Sequence, residues 1–521
     1  MYNIGSYTEK RKSFDWSVAK KELGLENSST WNIGELCSDR ICRLGNGSKV
    51  AMYWEGHGGK TAEFTFDDLR IHSNGFAHLI REKLGIDPGE RIYIFMDKMP
   101  ELYFSFLGIL KAGCIVAPLF SAFQEDSLFT RLSNGGATAV VTTPKFVKRI
   151  RKILPKLPHL KHVIVTNDLT GYQPREGEIT HQIEDLRIET FDVFQASPET
   201  PSVLHYTSGT TGTPKGAQHV HESVLSQYLT TKWILDVRPD DIYWCTADPG
   251  WVTGTSYGII GPWSNGVTQV VFEAGFRSRA WYEILQKYGV TVWYSAPTAI
   301  RMLMRDGADL VKEFDLNKLR HLCSVGEPLN AEAVIWSEKV FGKPFHDTWW
   351  QTETGSIMIA NYPGIKIKPG SMGKPFPGIE AAVLSPKNHS VMGTDETGLL
   401  ALKPGWPSMF RTYWKNPFVY QEKFKNNFYL TGDRARIDQE GYFWFVGRDD
   451  DVINTGGHLV SPFEIESALL EHEAVAESAA IGKPDEINME VVKAFVALKP
   501  GFEPSDDLSL SIMNFIRKKL S

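Results

Sequence analysis

The residues from Thr207 to Gly216 read Thr-Ser-Gly-Thr-Thr-Gly-Thr-Pro-Lys-Gly. Hydroxyls and amide N–H groups of Thr207, Ser208, Gly209, Thr210, Thr211 and Gly212 can donate to phosphate oxygens. The glycines let the backbone approach an anion closely, and Lys215 adds a full positive charge. The segment is not a Walker A loop, which needs Gly directly before the lysine and Ser or Thr after it. Here Pro214 precedes Lys215 and Gly216 follows.

Further residues of this kind cluster after strand-like runs. They are Thr246-Ala-Asp-Pro-Gly250, Tyr294-Ser-Ala-Pro-Thr298, Ser324-Val-Gly-Glu-Pro328 and His346-Asp-Thr-Trp-Trp-Gln-Thr-Glu-Thr-Gly355. Ligands of open α/β sheets bind outside the carboxyl ends of the strands, so one composite site built from several strand ends is expected. Asp433, after an apolar run and a Thr-Gly turn, could accept hydrogen bonds from a pair of hydroxyls.

The phosphate-loop segment with Tyr206 before it, Ser324–Leu329, Asp347–Gly355, Tyr429-Leu-Thr-Gly-Asp433 and Gly447-Arg-Asp-Asp-Asp-Val-Ile453 follow one another in an order that resembles the acyl-adenylate-forming superfamily. That superfamily holds acyl-CoA synthetases, luciferases and peptide-synthetase adenylation domains. Trp349-Trp-Gln-Thr-Glu-Thr-Gly355 together with Ala247-Asp-Pro-Gly-Trp-Val-Thr-Gly254 is most similar to its acetate-activating branch. The resemblance implies an AMP-forming acid–thiol ligase using ATP, Mg²⁺ and coenzyme A, with acetate as the acid and propionate or another short-chain acid as the alternative.

It also implies roles. Lys215, Thr352, Glu353 and Arg448 would be catalytic, Thr352 on the α-phosphate and Glu353 as the Mg²⁺ ligand. Gly326, Glu327, Pro328 and Asp347 would line the adenine, Trp349 and Gln351 would join the nucleotide site, and Asp433 and Arg448 would meet the ribose. Trp251, Val252, Thr253, Val325 and Trp350 would line the acyl pocket, with Trp350 as its floor. Gly457, Arg517 and Arg131 would contact CoA, and Asp450 would be the hinge about which a C-terminal domain rotates. Two departures stand out. Leu459 occupies a position where relatives carry arginine, and the family's Pro-Lys-Thr-x-Ser-Gly-Lys motif would lie beyond Ser521, so the C-terminal domain is expected to be incomplete relative to the family.

The elements that must hold these residues follow from periodicity. Thr65-Phe-Asp-Asp68 reads as a helix cap ahead of Leu69, Phe76, Leu79, Ile80 and Leu84 at helical spacing. Strands are expected over 91–96, 115–120, 139–143 and 162–166, with helices over 101–111 and 125–133. After a polar stretch over 167–201, strands are expected over 203–206, 242–247, 269–272, 291–295 and 321–325. Strands alternating with helices predict an α/β fold with parallel sheets in two layers. Short strands rich in Gly and Pro predict a small β unit over about 364–436, and an α+β unit follows. The expected division is a domain over 1–449 and a smaller mobile one over 450–521, with the charge run at 449–451 as the link.

Composition sets the outer limits. At 521 residues the chain is too long for a single core. Hydrophobic residues make up 42% and charged residues 23%, the balance of a globular enzyme rather than a disordered or fibrous chain. A net charge of −6 argues against nucleic acid as the main partner. Five cysteines with no CxxC pair argue against a disulfide framework or a structural zinc site and fit a reducing cytoplasm. The first residues lack an apolar secretory core, and the apolar run over 103–120 is broken by Lys111 and Gly113, so neither a secretory signal nor a membrane span is expected.

Three other patterns point elsewhere. Gly254-Thr-Ser-Tyr-Gly258 fits the G-x-S-x-G pattern of a serine hydrolase, which requires a strand directly before the serine. His219-Val-His221 could suggest a metal pair, but with no third ligand nearby the pair reads as histidines at a helix start. The basic segment over 145–161 reads as a solvated crossover helix. A nucleotide-binding module without catalysis would bind ATP yet exchange no pyrophosphate.

Overall fold

The computed structural model describes residues 2–28, 30–182, 185–207, 214–449, 451, 453–455, 458–485 and 489–520. Two large sheets form the N-terminal part. One has eight strands in the order Thr412–Tyr413, Lys215–Val220, Pro201–Thr207, Ile115–Pro118, Arg91–Phe95, Ala139–Thr142, His162–Thr166 and Glu178–His181. The other has nine, in the order Lys374–Pro375, Ile359–Ala360, Phe345–Trp349, His321–Val325, Val292–Ser295, Ile242–Cys245, Thr268–Phe272, Val50–Glu55 and Thr61–Thr65. Crossover helices separate most parallel neighbours, as the alternation predicts. The apolar run over 103–120 is a buried helix, Pro100–Lys111, leading into a strand, Ile115–Pro118.

Local signals hold where they are strong. Thr65 Oγ1 accepts from the Asp68 amide at 3.1 Å while Asp68 accepts from the Thr65 amide at 2.9 Å, closing a reciprocal cap on the helix Phe66–His78. The basic segment becomes a short helix, Val147–Ile153, between two strands. Two assignments change. The strand Pro201–Thr207 belongs to the first sheet, where it runs parallel to Ile115–Pro118 and antiparallel to Lys215–Val220. The second sheet is completed by a hairpin from the N-terminal region, Val50–Glu55 with Thr61–Thr65, which pairs with Thr268–Phe272. Strand periodicity tells which face is buried, not which partner is chosen.

The small β unit is an antiparallel sheet of Ala381–Leu384, Gly398–Leu402, Phe428–Ile437, Phe424–Lys425 and Phe443–Arg448, so it extends past 436 to Arg448. A four-stranded sheet and the helices Pro462–Leu470 and Asp506–Leu520 follow, around a separate small core of Ile465, Leu469, Val475, Ala480 and Ile512. Asn330 Nδ2 donates to Ser467 Oγ at 2.7 Å across the boundary between the large and small parts. Asp450 lies outside the described residues, as does Gly457. No helix among the described residues is long and apolar enough to cross a membrane.

Candidate active site

The strand ends of the second sheet and the turn of the antiparallel sheet converge as expected. Asp433 is buried, and its Oδ2 accepts from Trp349 Nε1 at 3.0 Å and from Gln351 Nε2 at 3.1 Å. Both donors take the same oxygen. Burial pushes the Asp433 carboxyl up to about 6, against the pull of Trp349 and of Arg448, which sits opposite it in the strand register. Gln351 is fixed in turn by donating to the Thr431 carbonyl at 3.0 Å and accepting from Tyr429 at 3.2 Å.

Glu353 accepts from the Tyr413 hydroxyl at 2.7 Å through Oε1. Lys215 lies over the Tyr413 ring at 5.9 Å, so lysine, tyrosine and carboxylate form one group. Thr207 and Lys215 face each other in adjacent strands, at the two ends of the phosphate-loop segment. Residues 208–213, which include Ser208, Gly209, Thr210, Thr211 and Gly212, lie outside the described residues. Asp347 is buried with Oδ1 lacking a partner among the described residues, and burial pushes its carboxyl up to about 7. Gly326 has φ +96°, a region that favours glycine, and no neighbouring atom fills the space beside it. Glu327 accepts from Thr298 at 2.6 Å and pairs with Arg301.

Trp350 is 9% exposed, donates to Tyr294 at 3.3 Å and meets Tyr257 edge-on at 5.1 Å. Val325 lies in the same core cluster, and Val252 packs against that cluster. Thr253 follows in the helical turn Val252–Thr255. Trp251 does not share this environment: it is 46% exposed and packs on Phe120 at 5.5 Å. Gly250 makes that packing possible, since a Cβ there would lie 2.2 Å from the Phe120 amide.

Arg131 is buried rather than solvated. It donates to the Ser127 carbonyl at 2.9 Å, and its guanidinium stacks on Phe123 at 4.1 Å and on Tyr206 at 5.9 Å. Arg517 is exposed on the C-terminal helix.

The hydrolase pattern fails on geometry. Ser256 is buried in a helical segment, with no strand directly before it, and donates to the Gly355 carbonyl at 3.0 Å. His219 lies within the strand Lys215–Val220, not at a helix start, and both its ring nitrogens meet backbone carbonyls. His221 does precede the helix Ser223–Trp233 and accepts from the Ile33 amide at 3.0 Å.

Residues 43–414 match the family model described as AMP-binding enzyme, and residues 464–521 match the AMP-binding enzyme C-terminal domain. The chain belongs to the AMP-binding enzyme family. This AMP-binding enzyme is 47% identical to the acetyl-coenzyme A synthetase of Bacillus subtilis, over 100% of its own length and 90% of the relative's. It is 37% identical to the acetyl-coenzyme A synthetase of Streptomyces coelicolor, over 98% of its length and 81% of that relative's. Among solved structures it resembles an acyl-CoA synthetase of Brucella canis, with a TM-score of 0.80 and 31% identity over 99% of this chain and 93% of that one. It also resembles the anthranilate CoA ligase AuaEII in complex with anthranoyl-AMP, with a TM-score of 0.85 and 28% identity over 95% and 92% of the two chains.

Sequence reasoning passed over Tyr413 and read His219 only as a histidine at a helix start. Tyr413 sits in an aromatic-rich run, Trp406 to Trp414, whose local pattern reads as core. Only its pairing with Ala217 brings it to the site.

Proposed function

We propose that this chain is an AMP-forming acetate–CoA ligase. The observation that carries the reading is that Lys215, Tyr413 and Glu353 form one group and Asp433 is held by Trp349 and Gln351 of the same segment, in a chain that matches acetyl-coenzyme A synthetases along its length. In the first half-reaction a carboxylate oxygen of acetate attacks the α-phosphorus of ATP, the bond to the β-phosphate oxygen breaks and pyrophosphate leaves. In the second, the CoA thiol loses its proton and its sulfur attacks the acyl carbonyl, expelling AMP and giving acetyl-CoA.

The first step needs little covalent help; positioning and charge neutralisation supply it. Asp433 Oδ1 accepts from ribose hydroxyls, with Arg448 beside it. Asp347 Oδ1 accepts from the adenine amine, and Thr352 donates to the α-phosphate. Lys215 and the amides of the phosphate loop take the outer phosphates. Glu353 suits Mg²⁺, since Tyr413 takes only one of its two oxygens, and the ion supplies neutralising charge to the phosphates. Gly457 and Arg517 serve CoA, and the smaller domain, from 450 onward, turns about Asp450 between the two halves. Arg131, from its stacking, holds Tyr206 at the root of the phosphate loop. The five unpaired cysteines fit a cytoplasmic enzyme acting on small-molecule substrates.

The deciding experiment is acid-dependent ATP–pyrophosphate exchange with acetate, propionate, butyrate and hexanoate. Exchange strongest with acetate is expected. Exchange strongest with propionate would move the assignment by one methylene, and free acid released from an ester without ATP would replace it with a hydrolase.

A further inference from the structure

The segment from Thr352 to Gly355 carries the hydroxyl and carboxylate assigned to phosphate and Mg²⁺, and each of its backbone carbonyls is drawn into the protein. The Thr352 carbonyl accepts from His219 Nε2 at 2.8 Å, and the Glu353 carbonyl accepts from the Phe410 amide at 2.9 Å. The Thr354 carbonyl accepts from Trp406 Nε1 at 2.9 Å and from Ser408 Oγ at 2.7 Å. The Gly355 carbonyl accepts from Gln227 Nε2 at 3.2 Å and Ser256 Oγ at 3.0 Å. Each of the four carbonyls therefore has a donor in the surrounding protein.

His219 differs from the other donors in where it comes from. It stands four residues beyond Lys215 on one strand, and side chains at even spacing share a strand face. The same strand face therefore presents Lys215 at its start and His219 behind it. Its ring also fills the space beside Gly355, where a Cβ would lie 3.0 Å from His219 Cε1 and 2.4 Å from the Ser408 carbonyl. Lys215 and the carboxylate of Glu353 come from segments more than a hundred residues apart, and the His219–Thr352 bond joins them directly, with |i−j| of 133.

We infer that His219 is a positioning residue for the adenylation step: its Nε2–H fixes the Thr352 carbonyl and so sets the Thr352 hydroxyl and Glu353 carboxylate at their working distance from Lys215. The inference rests on the ligase reading above. His219 touches no substrate; it acts through Thr352. Burial holds the imidazole neutral, pushing it down to about 4, so it has one N–H to give. Nε2 makes the shorter of the two carbonyl contacts, 2.8 Å to Thr352 against 3.2 Å to Ser408, and is taken as the nitrogen that carries the hydrogen.

The test compares His219→Phe, which keeps a planar ring and removes the donor, with His219→Gln, whose amide N–H reaches the Nε2 position. Acetate-dependent ATP–pyrophosphate exchange and its Mg²⁺ requirement are measured for both, alongside circular dichroism and melting. Misplacing reacting groups by about 1 Å can cost about a hundredfold in rate. His219→Phe is expected to lose kcat on that scale and to need more Mg²⁺, with the KM for acetate little changed, and His219→Gln is expected to recover most of the loss. A folded Phe variant with wild-type kcat and Mg²⁺ requirement, or a folded Gln variant as poor as Phe, would overturn the inference. If the Phe variant does not fold, Trp406→Phe removes the donor to the neighbouring carbonyl, and the same contrast in kcat and Mg²⁺ requirement decides. If the wild-type chain shows no acid-dependent exchange, the ligase reading falls. Calorimetric Mg·ATP affinity then judges His219 independently: weakened binding in Phe but not in Gln supports it, and equal binding in all three refutes it.

Discussion

Tyr413 gives its hydroxyl hydrogen to Oε1 of Glu353 at 2.7 Å, across 60 residues of chain. Burial and the neighbouring carboxylate both raise the phenol far above its ordinary value, so it remains a donor at any working pH. Glu353 is thereby held by one oxygen and presents the other.

This division of the two oxygens predicts a graded pair of effects. Glu353→Gln removes the negative charge from a preorganised site, where losing one such group costs about 10²–10³ in rate. Tyr413→Phe keeps the charge but frees its orientation, so a smaller fall is expected, recovered by raising Mg²⁺. Pyrophosphate exchange against Mg²⁺ concentration checks both. A Tyr413→Phe enzyme that excess Mg²⁺ cannot improve would show that the hydroxyl does something other than orient the carboxylate.

Asp433 supplies a pH dependence. Its carboxyl is raised to about 6 by burial, so it is ionised above that value and protonated below it. Protonation removes the charge and one acceptor site at the oxygen left for the ribose. The KM for ATP is expected to rise as pH falls through about 6. Asp433→Asn, which cannot titrate, should show a high KM with no inflection there. Steady-state kinetics across two units either side decide it, and an unchanged inflection in the Asn variant would assign the titration to another group.

How much of this could be read from the chain differs by residue. Asp433, Glu353 and Lys215 are named from the sequence because each sits in a short motif that resembles the family's, and strand ends in α/β sheets are where ligands bind. Tyr413 and His219 are given no such role, because their significance lies in pairings between segments far apart in sequence. The local surroundings of each, an aromatic run and a strand interior, are those of ordinary core residues. The same limit explains the fold. The strand at Pro201–Thr207 was visible from its composition, but its membership in the first sheet depends on Val116 pairing with Val203. The hairpin Val50–Glu55 with Thr61–Thr65 lay outside the alternating pattern altogether. Trp251 is placed in the acyl pocket by the family resemblance alone, and its ring packs on Phe120.

Lys111 offers a test of the core that leaves the site alone. Its side chain is fully buried, with Nζ 2.5 Å from Asp39 Oδ2 and 2.8 Å from Asn74 Oδ1. Breaking a buried ion pair by removing one partner typically costs about 3–5 kcal/mol. Lys111→Ala is expected to lower the urea midpoint by a loss in that range, while the KM for ATP of the remaining folded protein stays near wild type. Double substitution of Lys111 and Asp39 by apolar residues should recover part of the loss. A Lys111→Ala variant as stable as wild type would mean that water reaches Asp39 and replaces the lysine.

Trp350 governs chain length. Its indole is nearly buried, anchored by the 3.3 Å bond to Tyr294 and the edge contact with Tyr257, so it cannot swing aside for a larger acid. Removing the indole is expected to open the pocket floor without touching Asp433, Glu353 or Lys215. Deleting a buried Trp side chain costs stability on the order of 3–5 kcal/mol, so a lower melting temperature accompanies the change. Each methylene accommodated in an apolar pocket is worth about 1–3 kcal/mol, enough to reverse a preference over two or three carbons. Trp350→Gly should therefore lose kcat/KM on acetate and gain it on butyrate through hexanoate in the pyrophosphate-exchange assay, with the KM for ATP little altered. If the folded variant keeps the wild-type ranking of acids, Trp350 is a core residue and the acyl group lies elsewhere.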